Sequence, residues 1–422
     1  QIPQPLRKEK LSLDFIKYET RFAAGLFFAL TFQNQSHYRK MRIQLVDSSN
    51  RDHLLPLTFT RPVSELRCGI LTIAEKYSQR GHTIGNETQP YLQRKFPSLV
   101  EADVAVDGGV CPSDEFLSAV GALNTGQSLC KGDTVIAWKG AKPTDTSGSV
   151  CFEGPLNIVA RPWDIWGLNA AELESDFDLL TTGRTSAPVD ESCTVIGDRI
   201  FLEEGAKATA SILNTTSGSI YLAKDAEIME GSVVRGGLAL GVNSSLKLGT
   251  KIYGATTLGP HCKVGGEVNN SVIIGYSNKG HDGFLGNSAL GEWCNLGADT
   301  NNSNLKNNYD EVKAWSYVSK RFAKTGQQFC GLIMGDHSKS GINTMFNTGT
   351  VVGVSANVYG AGFPRNFIAS FTWGGPQGTM EYKLDKALDT AHRMMQRRGL
   401  AVDEVENEIL QAVYEQTTDF RR

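Results

Sequence analysis

The chain has 422 residues, a formal net charge of −3 and 40% hydrophobic residues, so it exceeds one ordinary core and exerts no general pull on nucleic acid or anionic lipid. Its eight cysteines include no Cys-x-x-Cys pair, which argues against a disulfide or zinc scaffold and for a reduced, cytoplasmic protein. The apolar run near the start, residues 23–32, is interrupted by Gly25 and falls well short of the roughly twenty residues that span a bilayer.

Residues 1–40 show no clear period and read as an extension before Met41, the expected natural start. A secretion signal fits poorly, because Glu19 flanks the apolar run and no small-residue cleavage pattern follows. From 41 to 185 short apolar strands alternate with amphipathic stretches, the pattern of a Rossmann-like α/β domain. Strands are expected at 43–46, 103–106, 134–138 and 156–159, and helices at 70–79 and 113–122. The second helix opens on Pro112-Ser113-Asp114-Glu115, a capping residue followed by acids.

Residues 186–227 read as a connector with the first, irregular coils. An aliphatic residue then returns at every sixth position: Ile228, Val234, Leu240, Leu246, Ile252, Leu258 and Val264. That period fits neither a helix nor an ordinary strand, but it suits a parallel β-helix in which each hexapeptide forms one flat side and drops one side chain inward. After Val264 the register breaks, which reads as an insertion, and resumes through Phe284, Leu290 and Leu296. A polar excursion covers 301–328, and a third register runs through Met334, Ser340, Phe346, Val352 and Val358. Helices are expected at 380–398, ended by Gly399, and at 402–416. The expected domains are therefore 41–185, a β-helix over 186–375, and C-terminal helices over 376–422.

Between the two irregular stretches stand Glu267-Val-Asn-Asn-Ser, Gly280-His281-Asp-Gly-Phe284-Leu-Gly286, Leu290-Gly291, Asn295-Leu-Gly-Ala298-Asp-Thr300 and Asn304. In residue type and spacing this text resembles the acetyltransferase half of the GlmU family, bifunctional enzymes that acetylate glucosamine 1-phosphate and uridylylate the product. The resemblance implies a left-handed β-helix that forms a homotrimer. It also implies His281 as general base toward the sugar amine, a role suited to an imidazole that titrates near neutrality. Glu267 would support that imidazole, Asn304 would hold the amine-bearing part of the sugar, Asn295 a hydroxyl or the phosphate, and the Ala298 N–H the thioester oxyanion. Phe284 stands where the family has Tyr, and Asn269 and Asn270 where it has a Lys pair, while Lys251 takes the place of a phosphate-binding Arg. Lys279, Lys306, Lys313, Lys320 and Arg321 are the cations available to replace the missing pair. His337 and Lys339 are expected against the phosphates or pantetheine of acetyl-CoA. A zinc site shared across a subunit interface, with His261, His281 and His337 available, is the competing reading, although their flanks do not resemble the histidine pattern of the trimeric β-helix carbonic anhydrases.

The stretch Leu54-Leu-Pro-Leu-Thr-Phe-Thr-Arg-Pro62 and the later Arg161-Pro-Trp-Asp-Ile165 resemble the divergent nucleotidyltransferase domain of a GlmU-like family, so the likeness runs from about 41 to 400. By that likeness Arg61 neutralises the triphosphate with Arg67 and Lys76 as helpers, Arg161 lies at the same site, and Mg²⁺ is held by Asp107 or Asp164. The expected activity is paired acetyl and uridylyl transfer yielding UDP-N-acetylglucosamine for cell-envelope precursors, from a sugar 1-phosphate, acetyl-CoA and a nucleoside triphosphate, UTP favoured. No nucleic acid or membrane partner is expected. Two alternatives stand beside it: a glucose-1-phosphate thymidylyl- or uridylyltransferase whose β-helix only assembles the protein, and a non-catalytic trimeric scaffold that binds sugar nucleotides.

Overall fold

A computed structural model describes residues 39–401 and 404–421. The extension read over 1–40 lies, up to residue 38, outside the described residues. Residues 40–422 form one compact unit, so the α/β domain, the β-helix and the C-terminal helices share packing surfaces.

The N-terminal domain is built on a six-stranded sheet of order β2-β1-β3-β5-β4-β6. The strands are β1 (Arg42–Val46), β2 (Thr83–Glu87), β3 (Val104–Asp107), β4 (Ser128–Lys131), β5 (Thr134–Trp138) and β6 (Val150–Cys151). β1 pairs in parallel with both β2 and β3, Val46 lying opposite Asp107. The expected strand at 156–159 does not form; Ile158 makes a single bridge to Val110. Helix α1 is Asn50–His53, α2 is Ile73–Gln79, α3 is Asp114–Gly121, α4 is Pro162–Gly167 and α5 is Asn169–Thr181. α2 starts three residues later than its apolar pattern indicates. There Thr72 takes the N-cap, accepting from the Glu75 N–H while its own N–H donates to Glu75, a reciprocal box that fixes a helix start.

The remainder is a parallel β-helix with three faces. The first is six-stranded, from Thr194–Ile196 to Phe284–Gly286; the second is nine-stranded, from Ile200–Leu202 to Phe367–Ile368; the third runs from Lys207–Ala208 to the hairpin Thr372–Gly375 and Gly378–Glu381. All seven residues of the sixfold ladder are at most 1% exposed and line the interior, because each is the middle or last residue of a short strand whose neighbours point outward. One corner column, from Asp225 through Asn243, His261, Tyr276, Trp293 and His337 to Ser355 and Phe371, has left-handed backbone throughout. Four of its rings stack in sequence, His261 on Tyr276 at 4.9 Å, Tyr276 on Trp293 at 4.5 Å and Trp293 on His337 at 6.3 Å. Ring contact of this kind offsets the roughly 1–2 kcal/mol that an L-residue loses in that conformation.

The register break is a shortening and not the insertion expected. Leu246 and Val264 occupy successive coils eighteen residues apart, whereas Lys279 follows Val264 after fifteen and Leu296 follows Lys279 after seventeen. Corner residues are lost, so the sixfold count slips, and the inward side chain is Leu285 instead of Phe284, which is only half-buried. The true insertion comes between Leu296 and Ser340, neighbours across the sheet but forty-four residues apart. That excursion carries an antiparallel hairpin, Lys313–Ser316 with Arg321–Lys324.

Helix α6 (Leu384–Gln396) and helix α7 (Glu404–Gln416) close the chain. Residues 380 and 381, expected in a helix, belong to the last hairpin strand. α7 reaches the N-terminal domain, where Glu404 and Glu408 pair with Arg94 and Glu406 pairs with Lys95. α5 lays Leu173, Phe177 and Leu180 on Phe201, Tyr221 and Ala239 of the second face. Asn169 seals this contact with bonds to the Ala255 carbonyl and the Thr257 hydroxyl.

Candidate functional site

In the N-terminal sheet the chain runs from β1 outward to β2 and then returns to the opposite side of β1 for β3. The β1/β3 boundary is therefore the switch point, and the carboxyl ends of those strands form the crevice in which open α/β sheets bind ligands. Asp47 follows β1 and Asp107 ends β3 there. Both carboxyls are pushed above the usual range, by burial first and, for Asp47, also by the charge of Asp107. Asp47 is fully engaged: its Oδ1 accepts from the Val63 N–H at 2.8 Å and its Oδ2 from the Thr88 hydroxyl at 2.6 Å. Asp107 Oδ1 accepts from the Gly109 N–H at 2.8 Å, with Ser48 and Lys142 alongside. Position 109 needs glycine for a steric reason, since a Cβ there would lie 2.5 Å from the Val159 carbonyl oxygen. His53 lies beside the same crevice, its imidazole pushed down by burial and by the charge of Arg161.

The predicted cations divide sharply. Arg61 is 5% exposed and its guanidinium pairs with Asp336 and, at 3.5 Å, with Glu292, both on the β-helix. Thr60 donates to the same Asp336 carboxylate at 2.8 Å. Arg61 therefore does not neutralise a triphosphate; burial between two acids commits it to joining the domain to the β-helix. Arg67 reaches the Ile274 carbonyl at 3.4 Å, donates to the Ile70 carbonyl at 2.5 Å and pairs with Glu75. Lys76 is 1% exposed and pairs with Asp176 at 2.6 Å and Glu172 at 2.9 Å. Neither helper role survives, because both side chains are spent on internal partners. Arg161 alone of the four forms no ion pair among the described residues; it is half-buried and donates to the Ala160 carbonyl at 2.7 Å.

The two acids expected to hold Mg²⁺ also separate. Asp164 Oδ2 accepts from the Ala160 and Arg161 N–H groups at 2.9 and 2.7 Å, fastening the start of α4, so it serves the helix and not a cation. Asp107 fits better, since Mg²⁺ is commonly held by one or two carboxylates plus substrate phosphates. Among the described residues no trio of His, Cys, Asp or Glu of one chain is placed for a metal ion. Sequence reading passed over Asp47, Ser48 and His53; the available signal was their position directly after the first strand.

On the β-helix, Lys251, Glu267 and Phe284 lie in register on three successive strands of the first face. His281 is exposed at the corner just before Phe284. Ala298 lies one coil further on, since the adjacent Asp299 N–H donates to the Asp282 carbonyl at 3.0 Å. Glu267 accepts from the Tyr253 hydroxyl at 2.6 Å, so its carboxylate supports Tyr253 instead of the imidazole. Asn304 Nδ2 donates to Asn287 at 2.7 Å, close to Gly286. Asn295 is on the third face, facing Asn278 and Lys339 in register. The corner thus unites His281, Glu267, Phe284, Lys251 and Ala298, while Asn295 and Asn304 flank it on different faces. An open groove of about 610 Å³ lined by Arg235, Lys251, Tyr253 and Glu267 runs along the first face from this corner.

The expected coenzyme A contacts are closed off. His337 is 5% exposed, its imidazole pushed down to about 3, mainly by burial and further by Lys339. Lys339 donates to the His337 carbonyl at 2.7 Å, and burial pushes its ammonium down to about 8. Glu406 of α7 and Lys95 lie close enough to act on His337, so the chain's own elements occupy that side. Lys279 is equally unavailable to a sugar phosphate. It sits at an interior ladder position, 1% exposed, donating to the Gly265 carbonyl at 3.0 Å and the His281 carbonyl at 2.8 Å. With no carboxylate in contact, burial pushes its ammonium down to about 8.

Comparison with curated proteins yields no match. Among solved structures, an Arabidopsis UDP-N-acetylglucosamine acyltransferase is similar over 56% of this chain and 97% of its own, at 13% identity and a TM-score of 0.22, values too low to carry an argument. Residues 43–185 match the sugar nucleotidyl transferase family. The stretch that holds Asp47, Asp107 and Arg161 is thus a nucleotidyltransferase-like domain, joined to a long parallel β-helix and short C-terminal helices.

Proposed function

We propose that the chain transfers a nucleotidyl group, uridylyl favoured, from a nucleoside triphosphate to a sugar 1-phosphate at the tips of β1 and β3. The observation that carries this reading is the buried carboxylate Asp107 at the switch point of a domain similar to sugar nucleotidyl transferases. A phosphate oxygen of the sugar 1-phosphate attacks the α-phosphorus, the bond to the bridging oxygen breaks, and pyrophosphate leaves. Bound Mg²⁺ supplies charge neutralisation for the phosphates. Asp107 holds that charge in place, Gly109 keeps the carboxylate aimed, and Arg161 meets a phosphate oxygen. The assay is release of pyrophosphate from UTP with N-acetylglucosamine 1-phosphate, glucosamine 1-phosphate or glucose 1-phosphate. Failure of all three sugars with both UTP and dTTP sinks the reading.

A second reaction, acetyl transfer from acetyl-CoA to the amine of glucosamine 1-phosphate, rests on His281, exposed at the corner that leads into the strand of Phe284. The imidazole takes the proton as nitrogen attacks the thioester carbonyl, and the coenzyme leaves as thiolate. Exposed Ile196, Ile212 and Val233 on the first face favour packing of further copies there, consistent with a homotrimer. Loss of a positioned general base lowers rates about 10²–10⁴-fold. If His281→Ala releases free thiol at the unaltered rate, this part of the reading fails while the nucleotidyl assay remains interpretable.

A further inference from the structure

A second groove, of about 680 Å³, lies between the excursion hairpin and the last coils. Neither Asp107 nor His281 lines it. Its cations are Lys306, Lys313 and Arg365, and no acidic residue lines it. Among the described residues none of the three forms an ion pair; Lys313 and Arg365 are exposed, and Lys306 donates to the Glu311 carbonyl at 2.6 Å. Its other wall is aromatic. Trp315 stacks on Phe367 at 4.2 Å and meets the edge of Phe322 at 5.4 Å, and Phe322 is 44% exposed. Among the described residues the buried Trp315 indole N–H finds no hydrogen-bond partner.

Three cations beside a stacked aromatic cluster, none of them in an ion pair among the described residues, offer two kinds of attraction at once, charge-assisted bonding for an anion and a flat apolar surface for a ring. A simple anion would leave the ring wall unused, and a neutral aromatic ligand would leave the cations unused. We infer that this groove binds a nucleoside phosphate, with its base against Phe322 and Trp315 and its phosphates toward Lys313 and Arg365. The excursion then carries a ligand-binding groove whose lining includes neither Asp107 nor His281.

Calorimetric titration of the full chain with ADP tests this, with inorganic phosphate and adenosine as separate titrants. The expected result is an ADP-binding class that Lys313→Ala with Arg365→Ala weakens tenfold or more, and that Phe322→Ala also weakens about tenfold, as loss of a base-stacking ring does. ADP bound at the strand tips is distinguished because Asp107→Asn weakens that class and leaves this one unchanged. The three substituted side chains of the groove are exposed, so unfolding midpoints should hold and report any misfolding. The inference is overturned if ADP affinity is unchanged in the Lys313/Arg365 and Phe322 variants. It is equally overturned if phosphate alone binds as tightly as ADP.

Discussion

The charges at the seam between the N-terminal domain and the β-helix contrast with those at the tips of β1 and β3. The buried cations that hold the structure together have acidic partners: Arg61 at the seam with Asp336 and Glu292 of the β-helix, and Lys76 inside the N-terminal domain with Asp176 and Glu172. At the tips burial raises both carboxyls and the charge of Asp107 adds to the cost of Asp47, which has one cation, Arg51 at 3.8 Å, beside its neutral donors. Compensated charge holds the architecture together. Carboxyls pushed above their usual range in a cleft, as Asp47 and Asp107 are, mark a place where charge serves a ligand.

The hardest test of the contrast is Lys76→Ala. It strands Asp176 and Glu172 in the interior and should cost about 3–5 kcal/mol, the range for breaking one side of a buried pair. Urea unfolding followed by circular dichroism measures it, and a loss below about 1 kcal/mol would show this cluster to act as ordinary surface charge. Asp107→Asn should do the reverse, lowering pyrophosphate release about 10²–10³-fold, as removal of a charge-positioning group does, with the unfolding midpoint unmoved. A large stability loss in that variant would place Asp107 with the seam residues.

Lys279 sharpens the comparison because, among the described residues, it is a buried cation without an ion pair, and burial outweighs the charges of Asp282 and Asp299. Its folded pKa is about 8, against roughly 10.4 for an unfolded lysine. Between those values the unfolded chain keeps a proton that the folded chain has released, so stability at this site increases with pH. The stability of the native protein relative to Lys279→Met should rise by about 1–2 kcal/mol from pH 7.5 to 9.5. A pH-independent difference would mean that Lys279 stays charged in the folded state. The smallest effect belongs to Thr72→Ala, which removes one half of the α2 capping box and should lower stability by about 1 kcal/mol.

The regular coils were legible because an inward aliphatic every six residues is a local pattern, and every member of the first ladder is buried. The break was legible as a break but not in kind. A coil of fifteen residues hides its inward lysine, since Lys279 carries none of the apolar signal that marks its neighbours in the column. Phe284 drew the register by being aromatic, while Leu285 beside it does the packing. At the candidate site Asp107 could be found from its place after a strand. Arg61 could not be placed, because its acids lie 231 and 275 residues away and no local spacing reports such a distance. The same holds for His337, whose cover comes from Lys95 and from Glu406 in the final helix.

The seam also decides where this protein can be cut. Residues 43–185 match a family by themselves, yet severed after 185 they would bare Ile70, Leu71, Leu173 and Phe177, which now rest on Phe201, Tyr221 and Ala239. They would also lose the acids that neutralise Arg61 and the final helix, α7, that clasps Arg94 and Lys95. A fragment of that kind should aggregate, whereas a chain running from Met41 to the end of the final helix keeps both sides of the seam together.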